Sequence, residues 1–157
     1  MTGVARIAAI VGCILLCQAA GAIGALTTQT GSSSWYQTLE KPSFNPPGWV
    51  FGPVWTLLYA LMGVALFVLI RQWPGSRVAV ILFGVQLLLN AAWTPVFFGA
   101  HQIGAALLII IAMWLAIAAT MASAWFVAPA VTWLLLPYLL WVSFATVLNG
   151  AFWRLNA

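Results

Sequence analysis

Five continuous apolar runs, each about 20 residues long, constrain the fold of this chain more than any other feature of its sequence. A helix needs about 20 apolar residues to cross the roughly 30 Å hydrocarbon core of a bilayer. Within that core the chain must pair its own backbone polar groups, which leaves helices or a closed barrel. Barrel strands would alternate apolar and polar residues over about ten positions, and these runs do not alternate. The sequence therefore predicts an all-α integral membrane protein.

The composition agrees with a five-transmembrane-helix bundle. Of the 157 residues, 65% are hydrophobic and only 4% are charged, whereas a soluble domain carries about 25% charged residues. The predicted helices cover residues 5–26, 48–72, 77–98, 103–126 and 131–154, and they form one membrane domain over residues 1–157. A long loop joins the first two helices. The net charge of +4 comes from residues near the predicted membrane edges, so we interpret them as interfacial anchors and expect no nucleic-acid partner, which would need a basic patch.

The first apolar run has two interpretations, because it follows Arg6 and ends in small residues. Such a segment could be a cleaved signal peptide, but its apolar length suffices to span a bilayer and the long loop needs a helix on that side. We interpret it as a retained helix. Five crossings then place the termini on opposite sides of the membrane. The side of the N-terminus carries three basic residues and the other side carries two, which favours a cytoplasmic N-terminus.

The polar and aromatic side chains concentrate at the end of the bundle that carries the long loop. Residues 27–47 form this loop, with a flexible start (TTQTGSSS) and a proline-stiffened end (KPSFNPP). The candidate ligand-binding residues near it are Trp35, Tyr36, Trp49, Trp55, Tyr59, Asn90, Trp93, Trp141, Phe144 and Asn149. Amides inside a membrane are costly unless hydrogen-bonded, so we expect Asn90 and Asn149 to face the bundle interior.

Two interpretations of this concentration stay open. In the first, the loop is a lid over an aromatic pocket in which flat ligands stack and a few amides orient them. In the second, the aromatic residues form an interfacial belt and helix–helix contacts. A belt explains Trp49 well, but Trp55, Trp93 and Trp141 lie about one to two turns deeper. We therefore favour the pocket.

Three segments of the chain resemble the TspO/MBR family, the tryptophan-rich sensory proteins related to the mitochondrial translocator protein. They are WYQTLEKPSFNPPGWVFGPVWTLLYALMG at 35–63, LLLNAAWTPVFFG at 87–99 and LLLPYLLWVSFATVLNGAFWRLN at 134–156. The resemblance implies a homodimeric five-helix protein of a bacterial membrane that binds porphyrins such as protoporphyrin IX and haem-pathway intermediates. It also implies isoquinoline carboxamide or benzodiazepine-type ligands. We expect no required cofactor, and we expect porphyrin or haem to be bound as a ligand.

Particular residues match the family's motifs. Trp35 and Tyr36 match aromatic residues of the lid, Trp55 and Asn90 match pocket residues, and Trp141 matches the pocket tryptophan of the last helix. Ala145 matches the small residue that lets ligand approach the same helix. The family's C-terminal sterol motif is incomplete, because Gly150, Ala151 and Phe152 stand where its tyrosine would fall. Specific sterol binding is therefore not expected.

Three functions follow from these observations. We favour a membrane receptor or sensor for tetrapyrroles, which could also transport or regulate its ligand. Some bacterial family members break down protoporphyrin IX in light, and if this chain does so, the resemblance assigns the catalytic role to Trp55 and Trp141.

A membrane transporter is the third hypothesis, but the charged residues lie at the membrane edges and five helices do not form an inverted repeat. Glu40 is the sole carboxylate side chain and His101 the sole histidine, so the sequence offers no acid–base pair. It predicts no metal site. We interpret His101 as a solvated residue rather than as an axial ligand of haem iron.

Overall fold

The computed structural model describes residues 2–157, and it confirms the helical membrane fold. Its helices are α1 (Gly3–Thr27), α2 (Trp35–Thr38), α3 (Phe51–Arg71), α4 (Arg77–Thr94), α5 (Ile103–Ala124) and α6 (Pro129–Asn156). A single 3-10 turn at Gly48–Val50 precedes α3, and a π-helical turn at Pro95–Gly99 follows α4. Five segments of this described part are long and apolar enough to cross a membrane. The chain is therefore a multi-pass integral membrane protein.

Two local features differ from the predicted helices. The long loop contains a one-turn helix, α2, that the sequence did not predict. The third predicted helix is regular only as far as Thr94, because Pro95 has no N–H and its ring crowds the preceding turn. The backbone widens there, and Ala100 N–H donates to Pro95 O over 2.8 Å, which closes a π-type turn. This turn carries Phe97 into the interior, where it is only 2% exposed.

The first helix is an integral wall of the bundle. It packs against α3 and α4, and its contact with α3 depends on Gly63. A Cβ atom at Gly63 would lie 2.4 Å from Ile14 Cα, so only glycine permits this approach of the two backbones. The other main contacts join α4 with α5, α5 with α6, and α3 with α6. These contacts support the interpretation of the first apolar run as a helix of the bundle.

The long loop, the connector around His101 and the end of α6 lie at one end of the bundle, as predicted. The ring of Trp35 stacks on the ring of His101 with centroids 4.2 Å apart. The peptide of Glu40 pairs with the side chain of Asn156. The loop is therefore seated on the helices that surround the predicted pocket.

A candidate ligand-binding cavity

A cavity of about 1110 Å³ lies beneath the long loop. Its wall comes from the loop and from α1, α3, α4 and α6, with Ile110 and Met113 of α5 also reaching it. Eight of the predicted site residues line it, namely Tyr36, Trp55, Tyr59, Asn90, Trp93, Trp141, Ala145 and Asn149. The one-sided concentration of aromatic and amide residues in the sequence therefore corresponds to a single concave site.

Three predicted site residues lie outside the cavity wall. Trp35 is adjacent to Tyr36 on α2, but successive helical positions point about 100° apart, and its ring packs on His101 and Phe97 instead. Trp49 lies on the 3-10 turn and is 77% exposed, as an interfacial tryptophan would be. Phe144 packs behind the wall, with its ring centroid 5.5 Å from that of Trp141.

A chain of four hydrogen-bonding side chains forms the deep polar part of the site. Tyr59 OH donates to Asn90 Oδ1 over 2.6 Å, and Asn90 Nδ2 donates to the Tyr138 hydroxyl oxygen over 2.9 Å. Tyr138 OH in turn donates to Gln86 Oε1 over 2.9 Å. All four side chains are buried. Because each bond fixes the next group, the chain holds Tyr59 and Asn90 in place at the cavity wall.

The second intramembrane asparagine belongs to a separate pair of bonds. Trp93 Nε1 donates to Asn149 Oδ1 over 3.0 Å, and Asn149 Nδ2 donates to the carbonyl oxygen of Ile103 over 3.0 Å. Asn149 is 2% exposed and Asn90 is 5% exposed. The prediction that both amides face the bundle interior is confirmed.

Two indoles of the wall are held by neighbouring rings. Trp55 stacks on Tyr59 with centroids 5.4 Å apart, and Trp141 meets Phe51 edge-on at 5.8 Å. Trp141 Nε1 is buried, and within residues 2–157 it has no hydrogen-bond partner. A buried donor without a partner costs about 1–3 kcal/mol. Trp141 therefore faces the cavity with its ring and not with its N–H.

The underside of the loop presents a phenol and a cation to the cavity. Tyr36 OH and the side-chain amide of Asn45 are hydrogen-bonded at 3.2–3.4 Å. Lys41 Nζ lies 5.0 Å from the centroid of the Tyr36 ring and donates to Gln37 Oε1 over 2.6 Å. Burial raises the pKa of Tyr36 above its ordinary value of 10.0, and the bond with Asn45 offsets part of that rise. The phenol is therefore neutral at physiological pH.

Sequence reasoning missed several residues of the site. Gln18 of α1 lines the cavity, and its Nε2 donates to the carbonyl oxygen of Thr56 over 3.0 Å. Gly21 also lines it, and a Cβ there would lie 2.2 Å from Tyr59 Cε2. Gln18, Gln86 and Tyr138 share one signal that could have found them, since each is a polar group inside an apolar run.

The chemistry of the wall favours binding over acid–base catalysis. The described wall contains one cation, Lys41, and two phenols, Tyr36 and Tyr59, but no carboxylate or imidazole. Residues 2–157 contain no group of three or more His, Cys, Asp or Glu side chains that could hold a metal ion. A nucleophile paired with a base is likewise missing from the lining residues. The site is suited to holding a flat, largely apolar molecule.

Comparison with known proteins shows the family to which the chain belongs. Residues 13–154 match the sequence profile of the TspO/MBR family. The chain is 45% identical over 147 residues to the tryptophan-rich protein TspO of Chlorobaculum tepidum, covering 92% of this chain and 93% of that protein. It is 43% identical over 143 residues to the tryptophan-rich sensory protein of Cereibacter sphaeroides, covering 89% and 86%. It is 44% identical over 126 residues to the translocator protein of Homo sapiens, covering 78% and 75%. The chain therefore belongs to the TspO/MBR family, and this membership supports a role as a membrane receptor or sensor.

Proposed function

We propose that the protein is a membrane receptor that binds a tetrapyrrole, such as protoporphyrin IX or a haem-pathway intermediate, in the cavity beneath the long loop. The observation that carries this proposal is the size of the cavity together with its aromatic wall. Its volume of about 1110 Å³ lies just above the roughly 300–1,000 Å³ that most small-molecule sites occupy. A tetrapyrrole is a large planar ligand that needs such a volume.

Stacking on indoles supplies affinity for the macrocycle. Trp55 and Trp141 come from α3 and α6, and both line the cavity. Indole faces attract flat π-systems, and each aromatic contact contributes about 0.5–1.5 kcal/mol beyond the area that it buries. Isoquinoline carboxamides and benzodiazepine-type compounds also contain flat aromatic rings, so they would compete for the same aromatic wall.

The single cation at the cavity supplies a partner for the ligand's carboxylates. Lys41 lines the cavity from the loop, and its Nζ donates to Gln37. A propionate of the tetrapyrrole would accept a charge-assisted hydrogen bond from the same ammonium group. The macrocycle would then lie against the indoles while its carboxylates point toward the loop and solvent.

Titration of the purified protein in lipid nanodiscs tests the proposal, with the Soret absorbance of protoporphyrin IX as readout. A double variant, Trp55→Phe with Trp141→Phe, is expected to bind about tenfold more weakly, because two indole contacts are reduced to phenyl contacts. The matched control is Trp125→Phe with Trp133→Phe. Those two indoles are exposed and absent from the cavity lining, so the control should bind as the wild type does. Equal affinity of the wild type and the Trp55/Trp141 variant would refute the proposed site.

Light-dependent degradation of the bound porphyrin is the second candidate. The observation that favours it is that Trp55 and Trp141 line one cavity without an acid–base pair. Light-driven oxidation, with dioxygen as the oxidant and the indoles of the wall as redox-active side chains, would need no such pair. Illumination of the complex should then yield a new absorbing product that is lost in Trp55→Phe and Trp141→Phe. An unchanged porphyrin spectrum after illumination would mean that the protein binds porphyrin without degrading it.

Transport of the ligand is tested separately from binding, with the protein reconstituted into liposomes. Uptake of protoporphyrin IX into liposomes that contain the protein would have to exceed uptake into protein-free liposomes. The Trp55/Trp141 double variant would have to abolish that excess. Uptake that is equal in both kinds of liposome would exclude transport and leave the receptor role.

A further inference from the structure

The long loop is joined to the rest of the bundle by one polar contact. Glu40 N–H donates to Asn156 Oδ1 over 2.9 Å, and Asn156 Nδ2 donates to Glu40 O over 3.0 Å. Within residues 2–157, these are the only hydrogen bonds that tie loop residues 29–47 to a distant helix. The loop's other contacts with the bundle, such as Trp35 on His101 and Tyr36 on Phe152, are made by stacked or tilted rings.

The geometry of this contact is that of a paired strand. The side-chain amide of Asn156 presents one acceptor and one donor to the N–H and C=O of a single residue, as an adjacent antiparallel strand would. The second hydrogen of Asn156 Nδ2 is donated to Phe152 O over 2.9 Å, which anchors the amide to the last turn of α6. Both donors of the amide are therefore used, and the side chain has one preferred orientation.

The contact lies outside the cavity. Asn156 and Glu40 are absent from its lining, whereas Tyr36 and Lys41, on either side of Glu40 in the loop, belong to the lining. A ligand beneath the loop would therefore touch neither partner of the contact. Opening the loop, however, would require both bonds to break, because Glu40 lies in the middle of the segment that covers the cavity.

We propose that Asn156 is a latch residue that holds the long loop closed and thereby sets the rate at which ligand enters and leaves the cavity. The link to ligand rests on the proposed function, but the latch itself is a property of the ligand-free protein. Neither partner lines the cavity, so a bound ligand would not displace the contact. Loss of the latch would then affect the free and bound states alike and leave the equilibrium affinity nearly unchanged. A positioning residue of this kind changes exchange rates without changing the dissociation constant.

Amide hydrogen exchange of the ligand-free protein in nanodiscs tests the latch directly. Asn156→Leu keeps the volume of the side chain and removes both bonds to Glu40. At an exposed position each such bond changes an equilibrium by about threefold, so the loss of both should raise exchange at the Glu40 amide about tenfold. Exchange in α3 should stay unchanged, which shows that the bundle remains folded. The matched control is Glu40→Ala, because the latch uses the Glu40 peptide and not its carboxylate; this variant should behave as the wild type does.

Stopped-flow mixing with protoporphyrin IX gives the second readout. In Asn156→Leu the association and dissociation rates should both rise about tenfold, while the dissociation constant should change by no more than about twofold. The proposal is overturned if exchange at Glu40 is unchanged, if Glu40→Ala has the same effect as Asn156→Leu, or if the loop opens without any change in the ligand rates. Wild-type protein that binds no porphyrin would refute the proposed function. The exchange data would then still decide whether Asn156 holds the loop.

Discussion

Replacing Asn90 with leucine perturbs the polar chain at its centre. Asn90 accepts from Tyr59 OH and donates to the hydroxyl oxygen of Tyr138. Leucine has a similar volume and can do neither. Tyr59 OH then loses its acceptor in a position where the residue is only 7% exposed, whereas Tyr138 OH still donates to Gln86. The substitution therefore removes two bonds and leaves one buried donor without a partner.

The expected loss of stability depends on whether the unfolded chain is surrounded by water or by lipid. In a water-soluble protein an unsatisfied buried donor costs about 1–3 kcal/mol and the second bond about 1 kcal/mol more. Within a bilayer the separated helices find other partners, and measured side-chain hydrogen bonds there average about 0.6 kcal/mol with a maximum of about 1.7. Two bonds on the membrane scale amount to about 1–3 kcal/mol. We expect Asn90→Leu to lower the free energy of unfolding by that amount.

Reversible unfolding by SDS in mixed micelles, followed through the helical circular dichroism signal, measures this change. A double-mutant cycle with Tyr59→Phe should give a coupling energy of about 0.6–1.7 kcal/mol. The control cycle pairs Tyr59→Phe with Asn149→Leu, because Asn149 bonds to Trp93 and Ile103 instead; those effects should be additive. A coupling between positions 59 and 90 within about 0.3 kcal/mol of zero would refute the hydrogen bond on which this reasoning rests.

Two further predictions concern the helix contact and the charge at the cavity. Gly63→Ala places a Cβ 2.4 Å from Ile14 Cα and should destabilise the protein by about 1–3 kcal/mol in the same unfolding assay. Gly12→Ala, where nothing lies within 4 Å, should not destabilise it; equal effects would contradict the close packing of α1 and α3. Lys41→Gln should weaken protoporphyrin IX binding about twofold to fivefold, since Lys41 is an exposed cation. The dimethyl ester of the ligand should show no such difference, and an equal loss for both ligands would exclude a carboxylate contact.

The helical framework and the interior asparagines could be predicted because each follows from an energetic requirement. Apolar runs of membrane-spanning length have few alternatives to a helix. Asn90 and Asn149 lie in such runs, and an unpaired amide in hydrocarbon is costly, so both had to face other helices. The same requirement applied to Gln18 and Tyr138 would have placed them in or beside the site as well.

The direction of individual aromatic side chains could not be predicted. Trp35 and Tyr36 are neighbours in sequence, but the cavity receives Tyr36 while Trp35 packs on His101. That difference depends on the one-turn helix α2, which is held by tertiary contacts and is too short to be stable alone. The bonds between Glu40 and Asn156 join residues 116 positions apart, and a sequence pattern does not specify which distant partners meet.

The most direct measurement is a structure of the protein saturated with protoporphyrin IX in lipid nanodiscs. The macrocycle is expected between Trp55 and Trp141, beneath residues 27–47, with a propionate near Lys41. Porphyrin density on the lipid-facing surface of the bundle, with the cavity beneath the loop free of ligand, would contradict the proposed receptor site.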